Sequence, residues 1–256
     1  MQSRRLLHLP AAITGALIVV AAVVVAQTAA TYGWVSKFLL PPPSDVVVAI
    51  VRLFRSEGLA GEVGITFLMT FVAVGIGILI GTPIGWVLYR SRLLGRAFGP
   101  WITALFSAPI VLLYPMYVVV FGRSNLSMIM LGATVATIPI VLKTREGLIE
   151  IPPVLLNVGR TFRATPLYTV TRILIPAAAP AVFVGIRLAL IYALVNIVAT
   201  GFLIDFGELG GLGNLIATLY DRYDIPGMYG AITFVVLISV AFFWITERVE
   251  RWLRPR

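Results

Sequence analysis

An all-α protein threaded several times through a membrane is the fold class this sequence predicts, on three observations. Hydrophobic residues fill 59% of its 256 positions and charged ones only 12%, with a mean hydropathy of +0.99, beyond what a soluble domain carries. The apolar residues gather into runs close to or above the roughly 17 residues that cross the hydrocarbon of a bilayer as helix. Between the runs, Lys and Arg alternate from dense to sparse, as they do on opposite faces of a membrane. The same composition removes several function classes. Without a cysteine there is no disulfide, thiolate metal site or cysteine nucleophile, and the single His8 cannot build a metal cluster or a triad alone. A net charge of +9 would point to nucleic acid in a soluble protein; here it reads as basic loops beside a lipid bilayer, with no nucleic-acid partner.

Six spans are expected: 11–30, 65–89, 101–121, 126–142, 173–200 and 230–245, forming one transmembrane domain over 1–256. Arg4 and Arg5 ahead of the first run resemble an export signal, but such signals deliver a soluble domain and more membrane follows, so the run is read as an uncleaved span. With the N-terminus inside, the inner segments hold fourteen basic residues, among them Arg90, Arg92, Arg96, Lys143 and Arg145. The outer segments hold five: Lys37, Arg52, Arg55, Arg123 and Arg222. Both termini and the loop 143–172 are then cytoplasmic.

Outside, Pro41, Pro42 and Pro43 make a stiff turn, Ser44 reads as an N-cap, and Val51, Leu53 and Phe54 continue as a helix at the membrane surface. Spans two and three carry Gly75, Gly77, Gly81, Pro83 and Gly85, then Pro109 and Pro115. Small residues let membrane helices approach, and prolines kink them.

The cytoplasmic stretch 150–176 reads as a short helix, a break, and a second helix start. Pro152 and Pro153 suit the first helical turn, Leu155, Val158 and Phe162 recur as an apolar stripe, and Thr165 with Pro166 supplies a second N-cap and first position. Arg160, Arg163 and Arg172 give this knob a basic rim, suited to docking on something outside the membrane. Farther on, Arg187 lies deep in the fifth run, where a charge needs a partner or a wet cavity. It is either an anion-attracting group on a pathway or an Arg bonded to a neighbouring helix, and Asn196 has the same two readings. The outer stretch from Asp205 and Glu208 to Gly213 is a glycine-rich turn whose carboxylates repel phosphate. Asp221, Arg222 and Asp224 keep the last outer loop polar and open to a soluble partner.

These residues resemble the permease subunits of binding-protein-dependent ABC importers, in particular the sulfonate, nitrate and taurine branch. Matching positions are Asn157, Val158 and Gly159, then Arg163, nine residues, and the close Ile173-Leu174-Ile175-Pro176. Arg160, Thr161, Ala164 and Thr165 also fit. The outer Leu39 to Val46 segment, the Phe121-Gly122 exit and the Gly211 to Ile216 segment match the same branch. Two departures stand out: Asn157 replaces a Glu, and Arg163 replaces a Gly whose left-handed backbone would cost Arg roughly 1 kcal/mol.

The resemblance implies a cytoplasmic coupling helix over Asn157, Val158, Gly159, Arg160, Thr161, Phe162, Arg163, Ala164 and Thr165. It implies an ATPase subunit dimer beneath, a second permease subunit of the same or a different kind, and a periplasmic binding protein that meets the outer carboxylates. The place would be a bacterial inner membrane, and the solute a small anion or, in related permeases, a vitamin precursor.

The residues themselves argue against two other sources of energy, ATP held by this chain and an ion gradient. Neither Lys37 nor Lys143 follows a Gly as a P-loop lysine must, and none of the six runs carries the Asp, Glu or His of an ion relay. No cofactor or metal is expected. For a membrane enzyme the inner acids are few: Glu146 and Glu150 share a helix face, but beside Lys143 and Arg145 they read as a solvated helix end. A passive channel or scaffold stays open.

Overall fold

The computed structural model describes residues 11–56, 58–203 and 210–253. Among them every regular element is helical: α1 (Ala11–Thr31), α2 (Pro43–Ser56), α3 (Leu59–Arg90), α4 (Arg92–Phe106), a 3-10 turn (Ile110–Leu113), α5 (Tyr114–Phe121) and α6 (Asn125–Ile149). After these come α7 (Pro153–Thr161), α8 (Pro166–Tyr168), a π-helical turn (Thr169–Leu174), α9 (Ile175–Leu203), α10 (Leu212–Asp221) and α11 (Ile225–Leu253). By length and composition α1, α3, α6, the unit Pro166–Leu203 and α11 can each cross a membrane, and α4 with α5, bent by 93°, is long and apolar enough as a pair to form a broken span or a re-entrant loop.

Several helices outrun the apolar runs that mark them. α3 begins at Leu59 instead of 65, and α6 continues through Lys143 to Ile149. Hydropathy marks where lipid begins, whereas backbone hydrogen bonding continues until a cap or proline stops it. The 101–121 span departs more. It breaks at Ser107-Ala108-Pro109, because Pro109 has no N–H to donate and its ring disfavours helical backbone at Ala108. Ser107 N–H and Ala108 N–H fold back onto Ala104 O and Leu105 O at 3.1 and 3.2 Å, which closes α4.

Ser44 is not the cap of α2, which starts one residue earlier, at Pro43. Its N–H donates to Gln27 Oε1 at 3.0 Å and its hydroxyl accepts from Gln27 Nε2 at 3.2 Å. The free donor at this helix start is thus satisfied from α1, a cap that local sequence does not reveal.

α6 is the central helix, 61% of its apolar window being buried against 6% for α1. Gly77, Gly81 and Gly85 form one stripe of α3 facing it. A Cβ on Gly77 would stand 3.0 Å from Ala136 Cβ, on Gly81 3.0 Å from Ile140 Cγ2, and on Gly85 2.8 Å from Thr144 Cβ. This is close small-residue packing, which in lipid replaces the hydrophobic drive that water would supply. On the other side α9 brings Gly185 to within 3.1 Å of Pro139 O, again measured from an added Cβ. A core of Met69, Ala73, Ala136, Ile140, Ala193 and Leu194 joins the three helices. At one end Arg52 of α2 pairs with Asp224, and Tyr229 O–H donates to Leu39 O at 2.8 Å.

Candidate functional site

The break between α4 and α5 opens a cavity of ≈ 370 Å³ against α6 and α9, walled by Phe106, Ser107, Pro109, Val135, Tyr192 and Asn196 among others. None of its lining residues among those described is charged. The Asn196 amide N–H donates to Tyr192 O at 2.9 Å, and its Oδ1 has no partner among the described residues. Phe106 meets the Tyr192 ring edge-on at 5.0 Å between centroids. The wall is therefore apolar, with two hydroxyls and one amide able to turn to a guest. A bilayer tolerates such non-helical backbone where it borders protein or a cavity, because peptide groups in lipid must find hydrogen-bond partners.

Arg187 is not at this cavity. Nine residues from Asn196 on the same helix, it lies on the opposite face, since nine steps of roughly 100° make two and a half turns. Its Nε–H donates to Thr246 Oγ1 at 3.2 Å, and its guanidinium carbon sits 5.1 Å from the centre of the Phe243 ring. The charge is thus taken up by α11 through a hydrogen bond and an aromatic face.

On the basic side, α7 leans on Leu148, Ile151 and Leu174 through Leu156. Gly159 is buried, and a Cβ there would come within 2.9 Å of Ile173 Cδ1. Asn157, Thr161, Phe162, Arg163 and Thr165 are exposed and Ala164 is half-buried; the side chains of Val158 and Arg160 are outside the described set. Phe162 is 80% exposed and Leu155 42%, so both described members of the expected apolar stripe lie bare. The turn after α7 is a Schellman closure. Ala164 N–H bonds to Gly159 O at 2.9 Å, and Arg163 takes the left-handed position with φ 50°. Thr165 then caps the next helix as its sequence suggests, accepting from Tyr168 N–H at 3.3 Å. The helix passes through the π-turn Thr169–Leu174 before α9 becomes regular.

Of the carboxylates expected on the outer side, Asp221 is exposed. Asp224 is held in place, paired with Arg52 and accepting from Gly227 N–H at 3.1 Å at the start of α11. Asp205 and Glu208 lie outside the described residues. The glycines that follow them serve packing: a Cβ on Gly213 would strike Val198 O at 2.3 Å, which lets α10 cross α9. Sequence reasoning missed Glu62 and Thr66, one turn apart on α3, which cap α10 from outside by accepting from Gly211 N–H and, at 2.8 Å, from Leu212 N–H. The only sequence signal was an acidic residue directly ahead of a long apolar run. Ser107 and Tyr192 were missed too, because nothing local marks which face of a membrane helix borders a cavity.

Comparison with known proteins adds three findings. Residues 73–256 match the family described as the binding-protein-dependent transport system inner membrane component. The nitrate import permease protein NrtB of Synechococcus elongatus is 30% identical over 232 residues, covering 84% of this chain and 81% of that protein, and the formylaminopyrimidine transport permease protein ThiX of Halalkalibacterium halodurans is 23% identical over 218 residues, covering 85% and 86%. Among solved structures, the MetNI methionine ABC transporter in an inward-facing conformation shares the fold, with a TM-score of 0.68 and 24% identity over 77% of this chain and 96% of that one.

Proposed function

Because the chain belongs to the inner membrane components of binding-protein-dependent transport systems and is the permease subunit of an ABC importer, we propose that it passes a small anion, such as nitrate, taurine or another sulfonate, along α6 and α9 by the cavity at the α4–α5 bend. The observation that carries this reading is that cavity's chemistry: Ser107, Tyr192 and Asn196 offer neutral hydrogen-bond groups on an apolar wall, with no fixed charge among the described residues. A pathway must bind well enough to admit a solute and weakly enough to release it. Neutral donors meet both demands for a weakly hydrated anion, where a buried arginine would hold it. The 30% identical nitrate permease supports the same class. A second reading, a flat pyrimidine precursor, is favoured by the aromatic walls Phe106 and Tyr192 and by the likeness to ThiX.

Members of this family work with a separate ATPase and a substrate-binding protein, as multi-pass proteins of the inner membrane. In our reading the chain has no ATPase site of its own. Two permease subunits, alike or different, form the pathway, and an ATPase dimer meets the exposed knob around Asn157, Phe162 and Arg163. Both termini and that knob are cytoplasmic. Asp221 belongs to the face that receives the loaded binding protein, together with Asp205 and Glu208. Arg187 acts as a brace between α9 and α11 while Asn196 borders the solute. When the ATPases close on ATP the two knobs move together, and the helices joined to them tilt to open the outer side.

The test is ATP-driven uptake into proteoliposomes holding the permease, its ATPase and its binding protein. Nitrate, taurine, an alkanesulfonate and formylaminopyrimidine are offered in turn. Uptake of one of the anions, lowered on the order of tenfold by N196L, as loss of a hydrogen bond worth about 1 kcal/mol plus added bulk predicts, supports the anion reading. Uptake of the pyrimidine alone establishes the other.

A further inference from the structure

We propose that the cleft between the end of α3 and the back of α7 binds the phosphate of an anionic phospholipid headgroup. The cleft holds ≈ 700 Å³ and is lined by Trp86, Tyr89, Arg90 and Arg92 on one side and by Leu156 and Thr169 on the other. Both arginines are exposed, and among the described residues neither makes a hydrogen bond or an ion pair. Two unneutralised guanidiniums lining one cleft present the planar donor sets that bind phosphate oxygens in pairs.

The rest of the cleft is what a free anion would not need. Trp86 and Tyr89, with ring centres 5.9 Å apart, stand at the basic end of a 32-residue helix, where aromatic side chains anchor a span at the headgroup level. Trp86, Leu156 and Val170 pack on the apolar cluster of Leu148, Leu174 and Ala178. A lipid uses both halves, its glycerol and upper chains against the apolar wall and its phosphate against Arg90 and Arg92, with basic residues near an anionic surface each worth roughly 1 kcal/mol.

A protein partner is the less suitable occupant, because the knob offers it a different surface. Gly159 and Ala164 line a second cleft as well, with Phe162, Tyr168 and Arg172 on its walls. The α7 turn is the partition between the two, and the bare Phe162 belongs to the one away from α3. A headgroup in the α3 cleft would rest against the back of the coupling helix, so that its position responds to the lipid around it. This goes beyond the choice of transported solute and does not depend on it.

The experiment is native mass spectrometry of the full chain in detergent, with phosphatidylglycerol or phosphatidylcholine of the same acyl chains added. The expected result is preferential retention of phosphatidylglycerol, lowered on the order of tenfold in R90Q/R92Q and partially in each single variant. R96Q, whose arginine does not line the cleft, should retain the lipid as the unaltered chain does, and phosphatidylcholine should be indifferent to all of these changes. Unchanged phosphatidylglycerol retention in R90Q/R92Q overturns the proposal, as does complete displacement of the lipid by excess inorganic phosphate, which would make this a free-anion site. Loss of co-purifying ATPase with lipid retention unchanged would overturn it in favour of a protein surface.

Discussion

Arg163 carries the clearest local strain in the functional region. Its position was legible in the sequence: the resemblance called for glycine there, and the backbone does turn left-handed, at φ 50°. The Schellman closure, with Ala164 N–H on Gly159 O, demands that conformation whichever residue occupies the site. Replacement with glycine should therefore stabilise the turn by about 1 kcal/mol. Limited proteolysis of the loop reads this directly, since cleavage follows local opening. R163G should be cut roughly fivefold more slowly than the unaltered chain and R163A at about the original rate. Equal rates for all three would mean that the turn stores no strain. Arg187 and Asn196 illustrate the opposite situation. Sequence marks both as costly polar groups in lipid, yet only packing separates an arginine bonded to Thr246 from an asparagine at a cavity wall.

Among the elements, the α3–α6 contact shows why a run of glycines could be recognised but not interpreted. Gly75, Gly77, Gly81 and Gly85 look alike in sequence, but an added Cβ meets nothing within 4 Å at Gly75 and meets Ile140 and Thr137 at 3.0 Å at Gly81. G81L should accordingly destabilise the protein by about 1–3 kcal/mol or more through overpacking, and G75A should be close to neutral or slightly favourable, since alanine costs a helix less than glycine. Thermal unfolding in detergent, followed by circular dichroism, compares them; similar melting of the two variants would refute the packing assignment. The bent pair has the same lesson. Pro109 signals a kink, but the right-angle turn that makes a cavity depends on α6 and α9 standing behind it.

At the scale of the whole molecule, orientation is the consequence of charge and can be measured without background, because the sequence has no cysteine. Single cysteines at Ser91 and Phe162 should react with a membrane-impermeant maleimide only in inside-out vesicles. Those at Ser36 and Tyr223 should react only in right-side-out cells. Labelling of F162C in intact cells would invert the topology and remove the knob from the ATPase side. The distribution of basic residues alone carries this expectation, fourteen inside against five outside.

By itself the sequence determined the helical class, the apolar runs from which the long helices are built, and the two proline-started helix beginnings in the cytoplasmic loop, the second of them capped by Thr165. Each of these follows from interactions within a few residues or between one residue and the surrounding lipid. Only the tertiary structure decided that Gln27 satisfies Ser44, that Glu62 and Thr66 cap α10, that Arg187 turns to α11, and that Ser107, Tyr192 and Asn196 border one cavity. Those pairings join groups from 17 to 149 residues apart in the chain. Apolar helix faces in lipid differ little from one another in transfer energy, so the choice of which face meets which neighbour falls to close packing and to hydrogen bonds between helices.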